Sequence, residues 1–377
     1  MLPTKARRSW PQRLAMTSVF VANGLAFGAW AGNLPRLREQ AALDDASLGI
    51  VLLCGSIGSL LAMQVVGRFA GRIGTARVSW ISAVALAAVL PLPALVSGWP
   101  LLLASGLLLG AVLGSLDVAM NAQAAEVERV WGAAIMSSFH AGWSLGELAG
   151  AAAAGLLASA GASLVLALAL SGIVSALCGF AAFLMPEVPC RSSRQAGFAW
   201  PSRAMLRLCV VVAMSFAIEG SAADWSSVYL RAELGASAAL ASMGLAAFAA
   251  AMVAGRLCGD LAVRRLGPVR VIRWGSAVAG LGLLGAAALP NATAAAAGFA
   301  LVGIGTANTV PVLFSAAGRK GPAGVAMAAT AGYGVLMGVP PLIGLVSHAL
   351  GLRAALLLLV VVAGAIMLLV RCSRALA

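Results

Sequence analysis

The sequence predicts an all-α membrane protein with twelve transmembrane helices in two pseudo-symmetric six-helix halves. Hydrophobic residues make up 62% of the 377 positions and charged residues only 10%, with a mean hydropathy of +0.99. This composition leaves too little polar surface to cover a soluble domain of that length. Apolar segments of about 20 residues, the length that crosses a bilayer, recur along the whole chain. Short motifs of the first half also return in the second half.

The apolar segments give the order of the helices. We expect spans at about residues 14–32, 48–66, 76–97, 100–123, 134–158, 163–185, 206–230, 238–258, 270–289, 293–316, 322–346 and 351–371. The longest connection is polar, basic and bounded by prolines. It predicts an N-terminal half of residues 1–185, a cytoplasmic linker of residues 186–205 and a C-terminal half of residues 206–377.

The basic residues indicate the orientation of the chain. Of its 25 Lys and Arg residues, 21 lie at the termini or at the connections on one side of the predicted helices. The other four are Arg36, Arg38, Arg231 and Arg353. Because cytoplasmic loops carry the excess of Lys and Arg, both termini are predicted to be cytoplasmic. The short basic clusters between apolar segments also argue against nucleic-acid binding, despite a net charge of +13.

Several other kinds of site lack their sequence signals. The six cysteines are scattered, mostly within apolar segments, without the spacing of metal ligands or of a disulfide framework. We find no phosphate-binding glycine loop and no nucleophile elbow. An enzyme is therefore the least favoured class, and we expect neither a metal nor a cofactor.

Four pairs of short motifs indicate an internal repeat. Their offsets lie between 188 and 196 residues, and four similarities in register favour a duplicated six-helix unit. The pairs are FVANGLAFGAW (Phe20–Trp30) with FAIEGSAADW (Phe216–Trp225), GRFAGRIG (Gly67–Gly74) with GRLCGD (Gly255–Asp260), LGSLDVAMN (Leu113–Asn121) with IGTANTVPV (Ile304–Val312), and AGW (Ala141–Trp143) with AGY (Ala331–Tyr333).

Four of the twelve acidic residues fall within or near the predicted spans: Asp117, Glu147, Glu219 and Asp224. A charge at the centre of a spanning helix costs about 2.5–3.5 kcal/mol, so such residues are expected to face the bundle interior or a water-filled cavity. Burial also favours the neutral, protonated form of a carboxyl group. We therefore predict that Asp117, Glu147 and Glu219, together with His140, take part in proton coupling.

The order of the helices suggests that some of these groups lie close together. Helices 4 and 5 run in opposite directions, so Asp117 and His140 are expected at similar depth, where they could pair. Asn121 lies one helical turn from Asp117, and Glu147 lies two turns from His140 on one face. The alternative for each is a structural role: a carboxyl that bonds a neighbouring helix, or a neutral histidine in the packed interior.

Aromatic residues on the same helices suggest a ligand with both apolar faces and hydroxyl groups, such as a sugar. Trp143 and Tyr333 occupy matched repeat positions, whereas Trp225 and Trp30 could instead belong to an aromatic belt at the membrane surface. The predicted substrate-binding residues are Asn33, Trp30, Asn121, Trp143, Asp224, Asn308 and Tyr333.

Two six-helix halves around a central site are the plan of the major facilitator transporters, whose loop motif the segments Gly67–Gly74 and Gly255–Asp260 resemble. GSLDVAMN resembles the acidic-x-Ala-x-Asn pattern in helix 4 of the fucose-permease branch, the sugar:proton symporters, and of related uncharacterised bacterial inner-membrane facilitators. NTVPVLFSAAG (Asn308–Gly318) is similar to a helix 10 segment of that branch. The resemblance implies a location in a bacterial inner membrane. It also implies that Asp117 takes part in proton-linked transport. A second acid of that branch, in helix 1, is replaced here by Asn33, and a helix 5 asparagine falls near His140.

These observations predict a monomeric secondary transporter that moves a small polar solute, such as a sugar or related compound, across the bilayer together with protons. A proton-driven exporter of amphipathic compounds is a second hypothesis, although helix 4 lacks the arginine of such exporters and Glu147 stands where helix 5 would have a proline. A third is a membrane sensor that does not transport.

Overall fold

The computed structural model describes residues 9–131, 135–185, 202–318 and 322–371. All regular elements in these ranges are helical, without a strand among them. Most of the predicted linker (residues 186–205) lies outside the described residues, which resume at position 202. The helices are α1 (Trp10–Gln40), α2 (Asp45–Ile73), α3 (Thr75–Val89), α4 (Leu92–Leu95), α5 (Trp99–Trp131), α6 (Met136–Ser159), α7 (Leu164–Gly179), α8 (Arg203–Ala232), α9 (Ala238–Leu266), α10 (Pro268–Ala288), α11 (Ala292–Thr306), α12 (Thr309–Gly318), α13 (Pro322–Leu350) and α14 (Leu352–Arg371).

Within the described residues, eleven segments are long and apolar enough to cross a membrane, which confirms an all-α membrane protein. The helices α3 and α4 share one segment, α7 continues through a 3-10 turn (Phe180–Leu184), and α11 and α12 share another. The predicted fifth span, α6, is the one outside this set. It is 24 residues long but carries His140, Ser144 and Glu147, which lower its hydropathy.

Two glycines close the turns that follow the basic loop motifs. Gly74, between α2 and α3, has φ 97°, and Gly267, between α9 and α10, has φ 78°. Only glycine adopts this left-handed region without steric strain. Each half of the chain therefore needs a glycine where it reverses between its second and third spans.

The chain divides into two compact units. Unit 1 comprises Met1–Trp30 and Cys54–Ser193, and unit 2 comprises Ala31–Leu53 and Arg194–Ala377. In unit 1, α3 packs against α5 and α7. In unit 2, α10 packs against α11 and α14, and α13 packs against α8. These units are not a test of the predicted division into halves at residues 186–205, which stays a prediction.

Unit 2 includes the end of α1 and the start of α2. The hydroxyl of Ser227 in α8 donates a hydrogen bond of 2.8 Å to the carbonyl oxygen of Ala31. Arg231, one turn further along α8, forms an ion pair with Glu39. The hydroxyl of Ser347 in α13 bonds the carboxylate of Asp45. Polar contacts thus tie both arms of the α1–α2 turn to α8 and α13.

Candidate functional site

Glycines bring the backbones of α1 and α6 together in unit 1. A Cβ atom at Gly24 would overlap the carbonyl of Trp143, and one at Gly28 would overlap the backbone of Glu147. In the other direction, a Cβ at Gly146 would overlap the carbonyl of Val21. Small residues four apart permit this close helix approach. It places the backbone of the predicted site residues on α6 directly against α1.

A buried amide links three helices at the same level. Asn23, 5% exposed on α1, accepts a hydrogen bond of 2.9 Å from Nε1 of Trp143 on α6. Its Nδ2 donates a bond of 3.2 Å to the carbonyl oxygen of Leu113 on α5. The ring of Trp143 also lies against Phe27, with centroids 5.6 Å apart. Asn23 therefore joins α1, α5 and α6 through its one side chain.

Asp117 lies one turn beyond Leu113 on α5 and is half-buried. Nδ2 of Asn121 donates to its carboxylate at 3.1 Å and to its backbone carbonyl at 2.8 Å. Within the described part of the chain, Asn121 is the one hydrogen-bond partner of this carboxylate, and no basic side chain forms an ion pair with it. A neutral amide is therefore what faces the Asp117 carboxyl group in unit 1.

The predicted neighbours of Asp117 on α6 lie in different surroundings. His140 is exposed, and its ring contacts Phe20 edge-on with centroids 5.3 Å apart. It is not hydrogen-bonded to Asp117, whose amide partner lies on its own helix. Glu147 is 2% exposed, at the crossing of α6 with Gly28. The residues that were predicted to lie together because of their depth along the helices thus differ in burial and in partners.

In unit 2, Glu219 on α8 forms an ion pair with Arg256 on α9. Nη2 of Arg256 lies 3.2 Å from Oε1 of Glu219, and the side chains are 19% and 25% exposed. A cation at this distance favours the ionised carboxylate. Glu219 therefore has a compensating charge that the described surroundings of Asp117 do not provide.

Asn308 lies where the tenth span is interrupted, between α11 and α12. Its Nδ2 donates a hydrogen bond of 2.9 Å to the carbonyl oxygen of Gly255 on α9. A Cβ at Gly259 would overlap the Asn308 side chain, so a larger residue there would displace the Asn308 amide. The amide of Asn308 consequently holds the interrupted span against α9.

Aromatic rings from two other helices of unit 2, α12 and α13, lie against Phe216 on α8. Tyr333, 39% exposed on α13, lies 5.8 Å from Phe216 between ring centroids. Phe314 on α12 lies 6.3 Å from the same ring. Gly332 makes room for the Phe216 ring, which a Cβ would contact at 3.0 Å. The predicted ligand residue Tyr333 is thus part of a partly exposed aromatic cluster.

The remaining predicted ligand residues are more enclosed. Trp30 is 7% exposed, and Asn33 is 2% exposed and accepts a hydrogen bond of 3.2 Å from Arg36. Trp225 is 1% exposed, so it packs inside unit 2 and does not belong to a surface belt. Asp224 is half-buried and has no hydrogen-bond or ion-pair partner within the described ranges.

The described ranges contain no group of three or more His, Cys, Asp or Glu that could hold a metal ion.

Comparison with known proteins decides the family. A model described as the Major Facilitator Superfamily matches residues 16–339. The chain belongs to this superfamily of transporters. An MFS-type transporter of Yersinia pestis, described as uncharacterised, is 35% identical over 372 residues, covering 94% of this chain and 95% of the relative. The membrane protein MosC of Rhizobium meliloti is 31% identical over 358 residues, covering 93% and 88%.

Solved structures confirm the major facilitator fold. A bacterial homologue of the human lysosomal transporter Spinster, in an inward-facing and occupied conformation, matches with a TM-score of 0.78 and 13% identity, covering 98% of each chain. The nucleoside transporter NupG matches with a TM-score of 0.70 and 15% identity, covering 95% of this chain and 98% of NupG. This facilitator is therefore a multi-pass membrane protein with the fold of the superfamily.

Sequence reasoning missed Asn23 and Glu128 as residues that build the site of this facilitator. The signal for Asn23 was present in the repeat, which aligns it with Glu219 in the motifs beginning at Phe20 and Phe216. Glu128 was not among the predicted site residues. Its Oε2 accepts hydrogen bonds of 2.7 Å from the backbone N–H groups of Ile135 and Met136, so it caps the start of α6.

Proposed function

We propose that this facilitator is a proton-coupled transporter of a small polar solute, such as a sugar or related compound, and that Asp117 carries the proton. The observation that supports this most is the Asp117 carboxyl group, whose hydrogen-bond partner is the neutral amide of Asn121. Without a compensating cation, a carboxyl in a spanning helix becomes neutral by binding a proton. Protonation then shifts the balance between the two conformations of an alternating-access cycle.

The other acids fit supporting roles in this proposal. Glu219 is held as an ion pair by Arg256, so its charge is balanced without a proton. Trp143 and Glu147 lie one turn apart on the side of α6 that contacts α1. In this proposal Trp143 supplies an aromatic ring for the solute and Glu147 supplies a polar group. The excess of basic residues on one side of the spans supports cytoplasmic termini and an inner-membrane location.

A screen of purified protein for thermal stabilisation by sugars, sugar acids and common efflux substrates identifies the solute. Uptake of the stabilising compound is then followed in proteoliposomes with an imposed proton gradient. Asp117→Asn should abolish accumulation against the gradient, because the amide cannot bind and release the proton. Exchange of labelled for unlabelled solute should persist, since exchange needs no net proton movement.

Asp44→Asn is the matched control, because Asp44 is an exposed carboxylate outside the spanning segments. It should accumulate the solute as the wild type does. Full uphill accumulation by Asp117→Asn contradicts the proposed role of Asp117. Exchange that is lost along with accumulation indicates a role of Asp117 in solute binding instead.

Export of amphipathic compounds is the second candidate, and one feature of unit 2 favours it. The cluster of Phe216, Phe314 and Tyr333 offers apolar ring surface next to the ionic side chain of Glu219, one turn from Phe216. Such surroundings suit a solute with an apolar body and a polar head. Stabilisation by efflux substrates, and not by sugars or sugar acids, would favour export.

A further inference from the structure

We propose that Asn23 is the positioning residue of the candidate ligand site in unit 1, and that it fixes the orientation of the Trp143 indole ring. Asn23 is buried on α1, while its two partners lie on α5 and α6, at sequence distances of 90 and 120 residues. The position of the ring is therefore set by a contact that neither α5 nor α6 could provide alone.

The chemistry of the two partners determines how the amide is oriented. An indole nitrogen can only donate a hydrogen bond, and a backbone carbonyl can only accept one. The carbonyl oxygen of the Asn23 side chain must therefore face Nε1 of Trp143, and its NH₂ group must face Leu113. Rotating the amide by half a turn would break both bonds. The side chain is thus held in one orientation and in turn holds the indole.

Three contacts restrain Trp143 from different directions. Its backbone carbonyl lies against Gly24, where a Cβ would overlap it. Its Nε1 is held by Asn23 at 2.9 Å. Phe27 packs against the ring at an interplanar angle of 35°. All three residues belong to α1, so this helix defines both the position of the Trp143 backbone and the position of its ring.

Loss of Asn23 would leave the part-buried indole N–H of Trp143 without its hydrogen-bond partner. An unpaired donor of this kind drives the side chain toward another rotamer or another partner. A residue that keeps an acceptor oxygen within reach should preserve the ring. A residue of similar size without polar atoms should release it.

The internal repeat supports a special role for this position. The motifs that begin at Phe20 and Phe216 align Asn23 with Glu219. In unit 2 that position holds an ion pair with Arg256, while Tyr333, the repeat mate of Trp143, contacts Phe216. Each unit thus has a polar side chain at this position, and it joins helices in each. In unit 1 the group is a neutral amide that bonds the aromatic residue itself.

The test observes the ring directly. The full-length protein is labelled with 5-fluorotryptophan, and the ¹⁹F resonance of Trp143 is assigned by its disappearance in Trp143→Phe. Asn23→Leu should shift and broaden this resonance, while the signals of the other eight of the nine tryptophans change little. Asn23→Asp retains an acceptor oxygen and should keep the resonance close to its wild-type position.

Ser18→Ala is the matched control. Ser18 is also a polar residue of α1 that bonds a carbonyl of another helix, Cys178 on α7, and it does not touch Trp143. It should leave the Trp143 resonance unchanged. Should Asn23→Leu not yield folded protein by gel filtration, Asn23→Ser, whose hydroxyl is too short to bridge both partners, takes its place with the same expected shift.

An unchanged Trp143 resonance in Asn23→Leu or Asn23→Ser overturns the proposal, and so does an equal shift in Ser18→Ala. The role of Trp143 as a ligand platform rests on the proposed function, but the spectra report ring position without any ligand. Failure of the proposed function would show in the transport of Asp117→Asn and would leave these spectra as they are.

Discussion

At the scale of single residues, one carboxylate of this facilitator bonds backbone N–H groups that would otherwise lack partners. This carboxylate belongs to Glu128. The first N–H groups of a helix have no partner within the helix, and their partial positive charge attracts an anion. The carboxylate of Glu128, at the end of α5, meets two of these groups at the start of α6. It thereby fixes where the helix of Trp143 and Glu147 begins.

We expect Glu128→Ala to lower the thermal unfolding midpoint of the purified protein, because a lost helix cap costs about 1 kcal/mol. Glu128→Gln should lower it less, since its side-chain oxygen still accepts a hydrogen bond but carries no charge. The order Ala below Gln below wild type, measured by the loss of folded protein on heating, checks the capping role. Equal midpoints for all three proteins would show that this bond does not stabilise α6.

At the scale of helices, the spacing of glycines decides which pairs of helices approach most closely. Gly28→Ala should destabilise the protein strongly, because the added methyl group would overlap the backbone of Glu147 and force α1 and α6 apart. The same substitution at Gly285 on α10, where a Cβ would have nothing within 4 Å, should be neutral or slightly stabilising. Thermal unfolding of the two variants compares a crowded and an open glycine. Similar midpoints would contradict the packing account.

The sequence was sufficient to predict the helices and their membrane location, since hydropathy and length are local properties of the chain. It also predicted the neighbourhood of Asp117 and Asn121, which lie one turn apart on one helix. The bond between Asn23 and Trp143 could not be predicted in this way. It depends on the rotation of α1 against α6, which hydropathy does not report. Depth along the helices alone suggested a pair of Asp117 and His140, whereas the carboxylate of Asp117 accepts its hydrogen bond from Asn121 on the same helix.

At the scale of the whole molecule, α1 and α2 each contribute to both units. Their ends next to the α1–α2 turn belong to unit 2, where Arg38 also forms an ion pair of 3.0 Å with Asp45. Hydrogen bonds from the side chain and backbone of Ser47 lower the pKa of Asp44, which lies 3.3 Å from Nδ1 of His348. These contacts accompany the assignment of residues 31–53 to unit 2.

Removing the ion pair of Glu39 and Arg231 tests whether the polar contacts near the α1–α2 turn hold residues 31–53 in unit 2. Its side chains are 46% and 34% exposed, so the pair is expected to contribute about 0.2–1 kcal/mol. Glu39→Gln should then raise hydrogen–deuterium exchange in the peptides of residues 31–53 by up to about fivefold, since roughly 1 kcal/mol corresponds to that change in an opening equilibrium.

The charge-swapped double variant, Glu39→Arg with Arg231→Glu, should restore slow exchange in these peptides because the attraction is re-formed with reversed signs. Glu233→Gln is the matched control: it removes a carboxylate that pairs with Arg353 at 3.8 Å and caps Leu352, contacts that lie outside residues 31–53. It should leave their exchange unchanged. Faster exchange in the swapped variant than in Glu39→Gln alone would mean that the pair does not hold this segment.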